Sequence, residues 1–163
     1  PTGAATPSQP RKPRRVPFFI CPKCKQRTLG RDGRQGLLDQ AVACDRCGFG
    51  FLFQLLDDYY PSPNAGLIAC DRDGRILAAG RGVFELTGFR EGELMGKDVV
   101  EALGLGGFSA QGDPVAVARE WGVRRLGERL ELRSRAGVVK PIVADVFPGY
   151  DEDGGLLVAL APG

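Results

Sequence analysis

The sequence predicts an α+β fold in two parts: a small β module, then an antiparallel sheet that carries its helices on one face. Three observations predict this fold. Four of the five cysteines fall in two Cys-x-x-Cys pairs within residues 1–50. Beyond residue 63 the chain shows a hairpin signal and short helical segments, and it ends in three apolar strands. Because every strand link except the helical crossover is a hairpin, we expect five antiparallel strands.

The composition is that of a globular chain, with 163 residues, 43% of them hydrophobic and 26% charged. No apolar run approaches the roughly 18 residues of a membrane span. No segment has the charged and apolar pattern of a signal peptide. An odd number of cysteines, four of them in close pairs, favours a reducing compartment over a disulfide framework. We therefore expect a cytoplasmic protein that does not bind membranes.

Charge is distributed unevenly along the chain. Residues 1–50 carry ten Lys and Arg against three Asp and Glu, whereas residues 51–163 carry twelve against seventeen. Residues 1–15 are basic and rich in proline, which predicts a disordered tail. The chain has no histidine. That removes the commonest general base, the usual haem ligand and any mixed Cys/His metal site.

The two cysteine pairs, Cys21-Pro-Lys-Cys24 and Cys44-Asp-Arg-Cys47, are separated by 19 residues. A two-residue spacing lets one tight turn direct two sulfurs at a single ion. Gly48 follows the second pair and permits the backbone to turn beneath the thiolates. The pattern predicts one structural zinc ion, with a rubredoxin-like iron site and a redox-active dithiol as the alternatives.

Residues 16–50 resemble the four-cysteine zinc ribbons of transcription, translation and regulatory proteins. So short a segment cannot bury a sizeable core, so metal binding is expected to supply much of its folding free energy. Four protein thiolates leave no open position for water or substrate, which favours a purely structural role. The basic residues of this segment are candidates for contacts with nucleic acid, and the alternative is a basic face that contacts only solvent. The candidate contacts are Lys23, Lys25, Arg27, Arg31, Arg34 and Arg46.

Residues 51–63, "FLFQLLDDYYPSP", predict a short amphipathic helix that ends at its two prolines. This helix would link the ribbon to a domain that spans residues 64–163. Its apolar side chains predict a homodimer contact. The residues expected there are Phe51, Phe53, Leu55, Leu56, Tyr59 and Tyr60.

Elements of the C-terminal part follow in order. "GLIACD" and "RILAAG" flank Asp73-Gly74, which predicts a β-hairpin. Short helical pieces come next, and Asp113-Pro114 and Gly122 predict the start and the end of the last helix. Three strands are predicted at "ERLELRSR", "VVKPIVADVF" and "GLLVALA".

This part resembles a PAS domain. The first hairpin, "NAGLIACDRDGRILAAG", contains the Asp-x-x-Gly-x-Ile turn signature at Asp71, Gly74 and Ile76. The segment "FELTGFREGELMGK" is similar to the helical signature of the family. The resemblance implies a five-stranded sheet with helices on one face and a sensor or protein-interaction role. It also implies dimerisation through the helix that precedes the first strand.

We expect the helices to cover the sheet and to leave a small ligand cavity, with an ordinary filled core as the alternative. The lack of histidine argues against haem. LOV-type flavin is disfavoured because the corresponding region, "GGFSAQGDPVAVAREWG", has no cysteine. The ligand, if there is one, is therefore left unidentified. The candidate lining residues are Val83, Phe84, Leu86, Leu94, Val99, Val100, Leu103, Val117 and Trp121.

Cys70 lies in "ACDRD", which shares four letters with the "ACDRC" of the second cysteine pair. Its fifth letter leads into a hairpin turn instead of supplying a thiolate. We expect Cys70 to behave as a small apolar residue, with a redox switch or a ligand-attachment point as the alternatives.

The sequence contains no Ser/His/Asp set, no phosphate-binding loop and no metal with an open position. We therefore expect a non-enzymatic signal-transduction module, a PAS sensor or interaction domain coupled to a structural zinc ribbon and acting through protein–protein contacts. The alternative is a transcription or translation accessory protein that binds nucleic acid through the basic ribbon.

Overall fold

The structure, a computed structural model, describes residues 3, 18–29, 44–49, 52–55, 59–149 and 155–163. These ranges contain a three-stranded sheet, a five-stranded sheet and four short helices. In chain order the elements are β1 (Phe18–Ile20), β2 (Arg27–Leu29), β3 (Phe53–Leu55), β4 (Gly66–Cys70), β5 (Ile76–Ala79), α1 (Val83–Thr87), α2 (Glu91–Leu94), α3 (Val99–Ala102), α4 (Pro114–Trp121), β6 (Arg125–Arg133), β7 (Val139–Pro148) and β8 (Leu156–Pro162).

The small sheet has β1 in the centre, antiparallel to β2 on one side and to β3 on the other. Strand β3 lies within the linker helix that the sequence predicted over residues 51–63, so that prediction is wrong for residues 53–55. Phe53 pairs with Ile20, and both side chains are 1% exposed. Hydrogen bonding to β1 and burial of Phe53 on a second sheet outweigh the helical pattern of the apolar residues.

The five-stranded sheet has the order β5-β4-β8-β7-β6, and all of its strand pairs are antiparallel. Strands β4 and β5 form the predicted hairpin. The chain then crosses through the helices and returns as the β6-β7-β8 meander, which places β8 beside β4. The predicted five-stranded antiparallel sheet is thus confirmed.

Local sequence signals set the helix ends. The Asp113 carboxylate accepts a hydrogen bond from Val115 N and caps α4, which ends at Gly122 with φ 63°. Asp98 caps α3 in the same way. Helix α1 ends at Gly88, whose φ of 75° suits a residue without a Cβ.

Both faces of the large sheet are buried along β4 and along most of β8. One face packs against the helices in a core to which Ile68, Leu132 and Val158 contribute. The opposite face, here called the outer face, packs against Ile20 and Phe53 of the small sheet. It consists of Leu67, Ala69, Ala78, Phe147, Leu157 and Ala159.

The predicted pocket residues divide into two groups. Five of them pack tightly in the helix-side core, with half-buried Val100 against it. Phe84 and Trp121 are 49% and 75% exposed, so neither lines an interior cavity. Trp121 is the last residue of α4, and Phe84 lies on the outward side of α1 beneath the Arg90 guanidinium. The five core residues are Val83, Leu86, Leu94, Val99 and Leu103, and Val117 is half-buried.

Candidate metal centre and the interface beneath it

The two cysteine pairs form two turns of the same construction. In the first cysteine turn, Cys21–Gln26, Lys25 N donates to Cys21 O at 2.9 Å and Cys21 N donates to Gln26 O at 2.9 Å. In the second cysteine turn, Cys44–Phe49, Gly48 N donates to Cys44 O at 2.9 Å and Cys44 N donates to Phe49 O at 2.7 Å. Each turn therefore holds its two sulfurs on the same side of the backbone.

The turns bring Cys21, Cys24, Cys44 and Cys47 together, with their four Sγ atoms within 4.8 Å of one another. The Sγ atoms of Cys21 and Cys47 are 3.6 Å apart, as are those of Cys24 and Cys44. A tetrahedral ion with metal–sulfur bonds of about 2.3 Å requires sulfur–sulfur edges of about 3.8 Å. The cluster therefore fits one tetrahedral metal ion, and four thiolates are the donor set that zinc prefers in structural sites.

The environments of the four thiols differ. Cys21 and Cys44 are buried, Cys24 is half-buried and Cys47 is exposed. Burial raises the pKa of Cys21 to about 12. Burial acts to raise the pKa of Cys44, but hydrogen bonds from the backbone N–H groups of Cys47 and Arg46 and from the side chains of Cys24 and Cys21 together lower this pKa to about 7. Donors from both cysteine turns thus favour the thiolate form of Cys44.

Cys70 stands apart from this cluster. It lies in β4, is 1% exposed and packs in the helix-side core. Burial raises its pKa well above the ordinary value for a thiol. These features agree with the prediction that Cys70 is an apolar packing residue.

The first cysteine turn sits directly on the connection between β5 and α1. A Cβ built at Gly80 would lie 1.9 Å from Pro22 O, so this position accepts only glycine. The adjacent Arg81 N donates to Lys23 O at 3.1 Å. Pro22 and Lys23 are the two residues between Cys21 and Cys24, so the first cysteine turn also contacts the domain that contains the five-stranded sheet.

Lys23 adds a polar contact to this junction. Its ammonium forms an ion pair with the Glu91 carboxylate and donates to Ala79 O at 3.4 Å. The same carboxylate accepts a hydrogen bond from Ala79 N at 2.9 Å. Glu91, the first residue of α2, therefore joins the cysteine turn to the end of β5.

Apolar contacts extend the interface over the outer face. Phe53 and Ile20 pack with Leu67, Phe147 and Leu157, and none of the five is more than 3% exposed. A buried aromatic or large aliphatic side chain contributes about 1.5–3 kcal/mol relative to an exposed one. This apolar contact is therefore expected to supply most of the energy that holds the small sheet in place.

Tyr59 fastens the chain after β3. Its hydroxyl donates to Asp145 Oδ2 at 2.5 Å, and its ring lies 4.5 Å from that of Phe147. The other oxygen of Asp145 accepts from Gly127 N at 2.7 Å. Tyr59 and Phe53, both predicted to form a dimer contact, are thus engaged within the chain, and Phe51 and Leu56 lie outside the described residues.

The candidate nucleic-acid residues do not form one free surface in the described part of the chain. Lys23 pairs with Glu91, and Lys25 Nζ donates to Pro63 O at 3.1 Å. The Arg27 guanidinium lies 3.5 Å from the centre of the Tyr60 ring, while Arg46 donates to the side chain of Gln26. Arg31 and Arg34 lie outside the described residues.

An open groove of about 370 Å³ lies between α1 and the β6–β7 turn. Phe84, Thr87 and Gly88 line one side, and Arg135 and Lys140 line the other. Of the predicted pocket residues, only Phe84 lines this groove. Sequence patterns gave no signal for it, because it forms where a helix end meets a distant turn. No helix in the described ranges is both long and apolar enough to span a bilayer.

Comparison with solved structures shows the PAS fold. The chain is similar to the PAS domain of nitrogen regulation protein NR(II) from Vibrio parahaemolyticus, with a TM-score of 0.52, 10% identity, and coverage of 63% of this chain and 92% of that one. A PAS domain from Desulfitobacterium hafniense matches with a TM-score of 0.48, 20% identity, and coverage of 63% and 95%. No protein-family model matches the sequence, and no curated protein matches it.

Proposed function

We propose that this chain is a non-enzymatic regulatory module, in which a PAS-fold domain acts through protein contacts and a structural zinc ribbon covers the outer face of its sheet. The observation that carries the proposal is the shared interface. The cysteine cluster folds a module whose Phe53 and Ile20 complete the core of the PAS-fold sheet. Zinc would be held by Cys21, Cys24, Cys44 and Cys47, and its part would be to fix the two cysteine turns.

The packing of the helix-side core favours protein contacts over a small-molecule ligand. Val83, Leu94, Val99 and Leu103, all expected to line a cavity, are each 2% exposed or less and belong to one packed cluster. The ion pair of Lys23 and the contact of Lys25 within the chain disfavour a nucleic-acid role. Self-association, if it occurs, would need surfaces other than the buried Phe53.

Native mass spectrometry of the purified chain tests the proposal in one measurement. We expect one zinc ion per chain and no retained organic ligand. A retained small molecule would overturn the protein-contact role, and iron or a metal-free disulfide would overturn the zinc site. Salt-dependent binding to DNA or RNA that is lost when Arg27 and Arg46 are replaced by alanine would favour the nucleic-acid alternative.

A further inference from the structure

We propose that Gly80 and Glu91, which lie in the C-terminal domain far in sequence from the four clustered cysteines, are positioning residues of the metal site. Through them, metal occupancy of the N-terminal module is coupled to the order of the segment from β5 to α2. This inference rests on the metal site of the proposed function and goes beyond its structural role.

Metal coordination and docking against the domain use the same short turn. Cys21 and Cys24 supply two of the sulfurs, and the residues between them, Pro22 and Lys23, touch the domain. Coordination fixes the spacing of the two sulfurs and hence the path of the backbone between them. A turn released from the ion is free to leave the geometry that fits against Gly80.

The backbone of the first cysteine turn lies very close to Gly80. Its Cβ position lies 1.9 Å from Pro22 O and 3.1 Å from Lys23 O. Gly80 is not among the residues with positive φ, so sterics and not backbone conformation require a glycine there. Two backbones can approach this closely only when the turn is correctly formed.

The Glu91 carboxylate connects the first cysteine turn to the domain. It binds the Lys23 ammonium and the Ala79 N–H at once, and the side chains of Lys23 and Glu91 are 31% and 33% exposed. Partial burial strengthens the pair relative to a fully hydrated one. Glu91 thereby ties the turn to the end of β5 and to the start of α2.

The contact at Gly80 continues into the domain through β4. Gly80 N donates to Leu67 O at 2.8 Å, which fixes the β5–α1 connection against β4. Behind it, a Cβ at Gly66 would lie 2.7 Å from Val83 N, so β4 and the start of α1 also touch closely. The β5–α1 connection therefore lies between the first cysteine turn and β4. If the turn moves away, the connection loses its contacts on that side.

Linkage makes the coupling reciprocal. If metal binding favours docking, docking must raise the affinity for the metal by the same factor. Substitutions that weaken docking without touching a cysteine should therefore weaken metal binding. We expect a loss of about tenfold, within the roughly 5- to 150-fold range that coupled sites commonly show.

The chain of 163 residues allows a matched experiment. Zinc affinity is measured by competition with a chromophoric chelator for wild type, Glu91→Gln and Gly80→Ala. Two substitutions in the same helix, α2, serve as controls. Glu93→Gln removes the carboxylate that pairs with Arg135, and Gly92→Ala adds a Cβ that would meet nothing within 4 Å. Weaker zinc binding in the first two variants and wild-type binding in the controls is the expected result.

Hydrogen exchange over residues 76–94, with and without excess chelator, supplies the second measurement. Removal of the metal should raise exchange there in the wild type, while residues 129–133 of β6, whose Leu130 and Leu132 pack in the helix-side core, stay protected. The coupling is overturned if all five proteins bind zinc with equal affinity. It is also overturned if the rate of hydrogen exchange over residues 76–94 is the same with and without the chelator. Absence of bound metal in the wild type would instead overturn the metal site itself. If Gly80→Ala does not fold, Glu91→Gln decides the question alone.

Discussion

Lys25 and Gly48 occupy equivalent positions in the two cysteine turns, four residues after Cys21 and Cys44, and both have a left-handed backbone, with φ of 64° and 75°. Glycine adopts this conformation without strain, whereas lysine does not. One of the two turns therefore carries backbone strain that the other avoids. Lys25 also bonds to Pro63 O, which gives the strained residue a contact that glycine could not make.

Gly48→Ala should weaken the second cysteine turn. Its Cβ would meet nothing within 4 Å, so the cost is backbone strain alone. At about 1 kcal/mol this corresponds to roughly a fivefold weaker zinc affinity, measured by chelator competition. Lys25→Gly is the matched variant: it removes strain and one exposed hydrogen bond, so its affinity should stay within about twofold of wild type. Equal zinc affinity of Gly48→Ala and the wild type would show that backbone strain at this position does not weaken zinc binding.

Cys44→Ser and Cys70→Ser should separate a ligand from a packing residue. Cys44→Ser removes one of the four clustered sulfurs, so zinc content should fall to near zero. Cys70→Ser should leave the zinc content unchanged, although a hydroxyl in place of a buried thiol lowers stability by about 1–3 kcal/mol. Native mass spectrometry gives the zinc count of both variants. Loss of zinc on Cys70→Ser would be unexpected.

Tyr59→Phe should destabilise the chain by about 1.5–3 kcal/mol, because it removes a hydrogen bond to the Asp145 carboxylate. Urea unfolding measures the change. Tyr60→Phe is the control, since Tyr60 is 66% exposed and its ring contact with Arg27 survives the substitution. A similar loss in both variants would indicate that the Asp145 contact contributes little.

The same tyrosine should give a pH dependence at alkaline pH. Burial, assisted by Asp145, raises the pKa of Tyr59 above its ordinary value. A raised folded-state pKa contributes stability that is complete below the unfolded pKa of about 10. That contribution declines above a pH of about 10, where the unfolded chain releases a proton that the folded chain retains. Tyr59→Phe should flatten this part of the stability profile, whereas a profile unchanged by the substitution would assign the decline to other groups.

Phe53→Ala should cost about 3–5 kcal/mol by leaving a cavity between the two sheets. Phe53 is 1% exposed in the outer-face cluster, whereas Phe84 is 49% exposed. Phe84→Ala therefore serves as the control and should change stability by much less. Thermal unfolding of the zinc-loaded chain compares the two, and a mild effect of Phe53→Ala would mean that the small sheet is loosely held.

Much of the C-terminal fold could be predicted because its signals are local. Asp113-Pro114 and Gly122 mark α4 by capping and backbone conformation, which depend on few neighbours. Asp73-Gly74 marks the hairpin in the same way. The cysteine spacing likewise predicts the cluster, since two short turns suffice to place four sulfurs. Whether zinc fills it, and whether residues 1–15 are disordered, stay predictions.

The prediction of a linker helix fails at residues 53–55 for a non-local reason. Apolar residues at "FLFQLLDDYY" fit a helical period, yet Phe53 is extended because β1 and the large sheet lie beside it. A signal for this packing was present elsewhere. Strands β4 and β8 are apolar without alternation and buried along most of their length, whereas β6 alternates charged and apolar residues. Continuous apolar strands indicate burial on both faces, and hence a second covering layer.

Burial of the outer face also decides where the chain can be cut. A fragment that begins at residue 64 would keep every strand of the PAS-fold sheet and lose Ile20, Phe53 and Tyr59. Phe147 and Leu157 would then stand in water on a bare sheet, a surface prone to aggregation. The fold boundary and the boundary of the cooperative unit therefore differ, and the smallest fragment expected to stay soluble includes the four clustered cysteines.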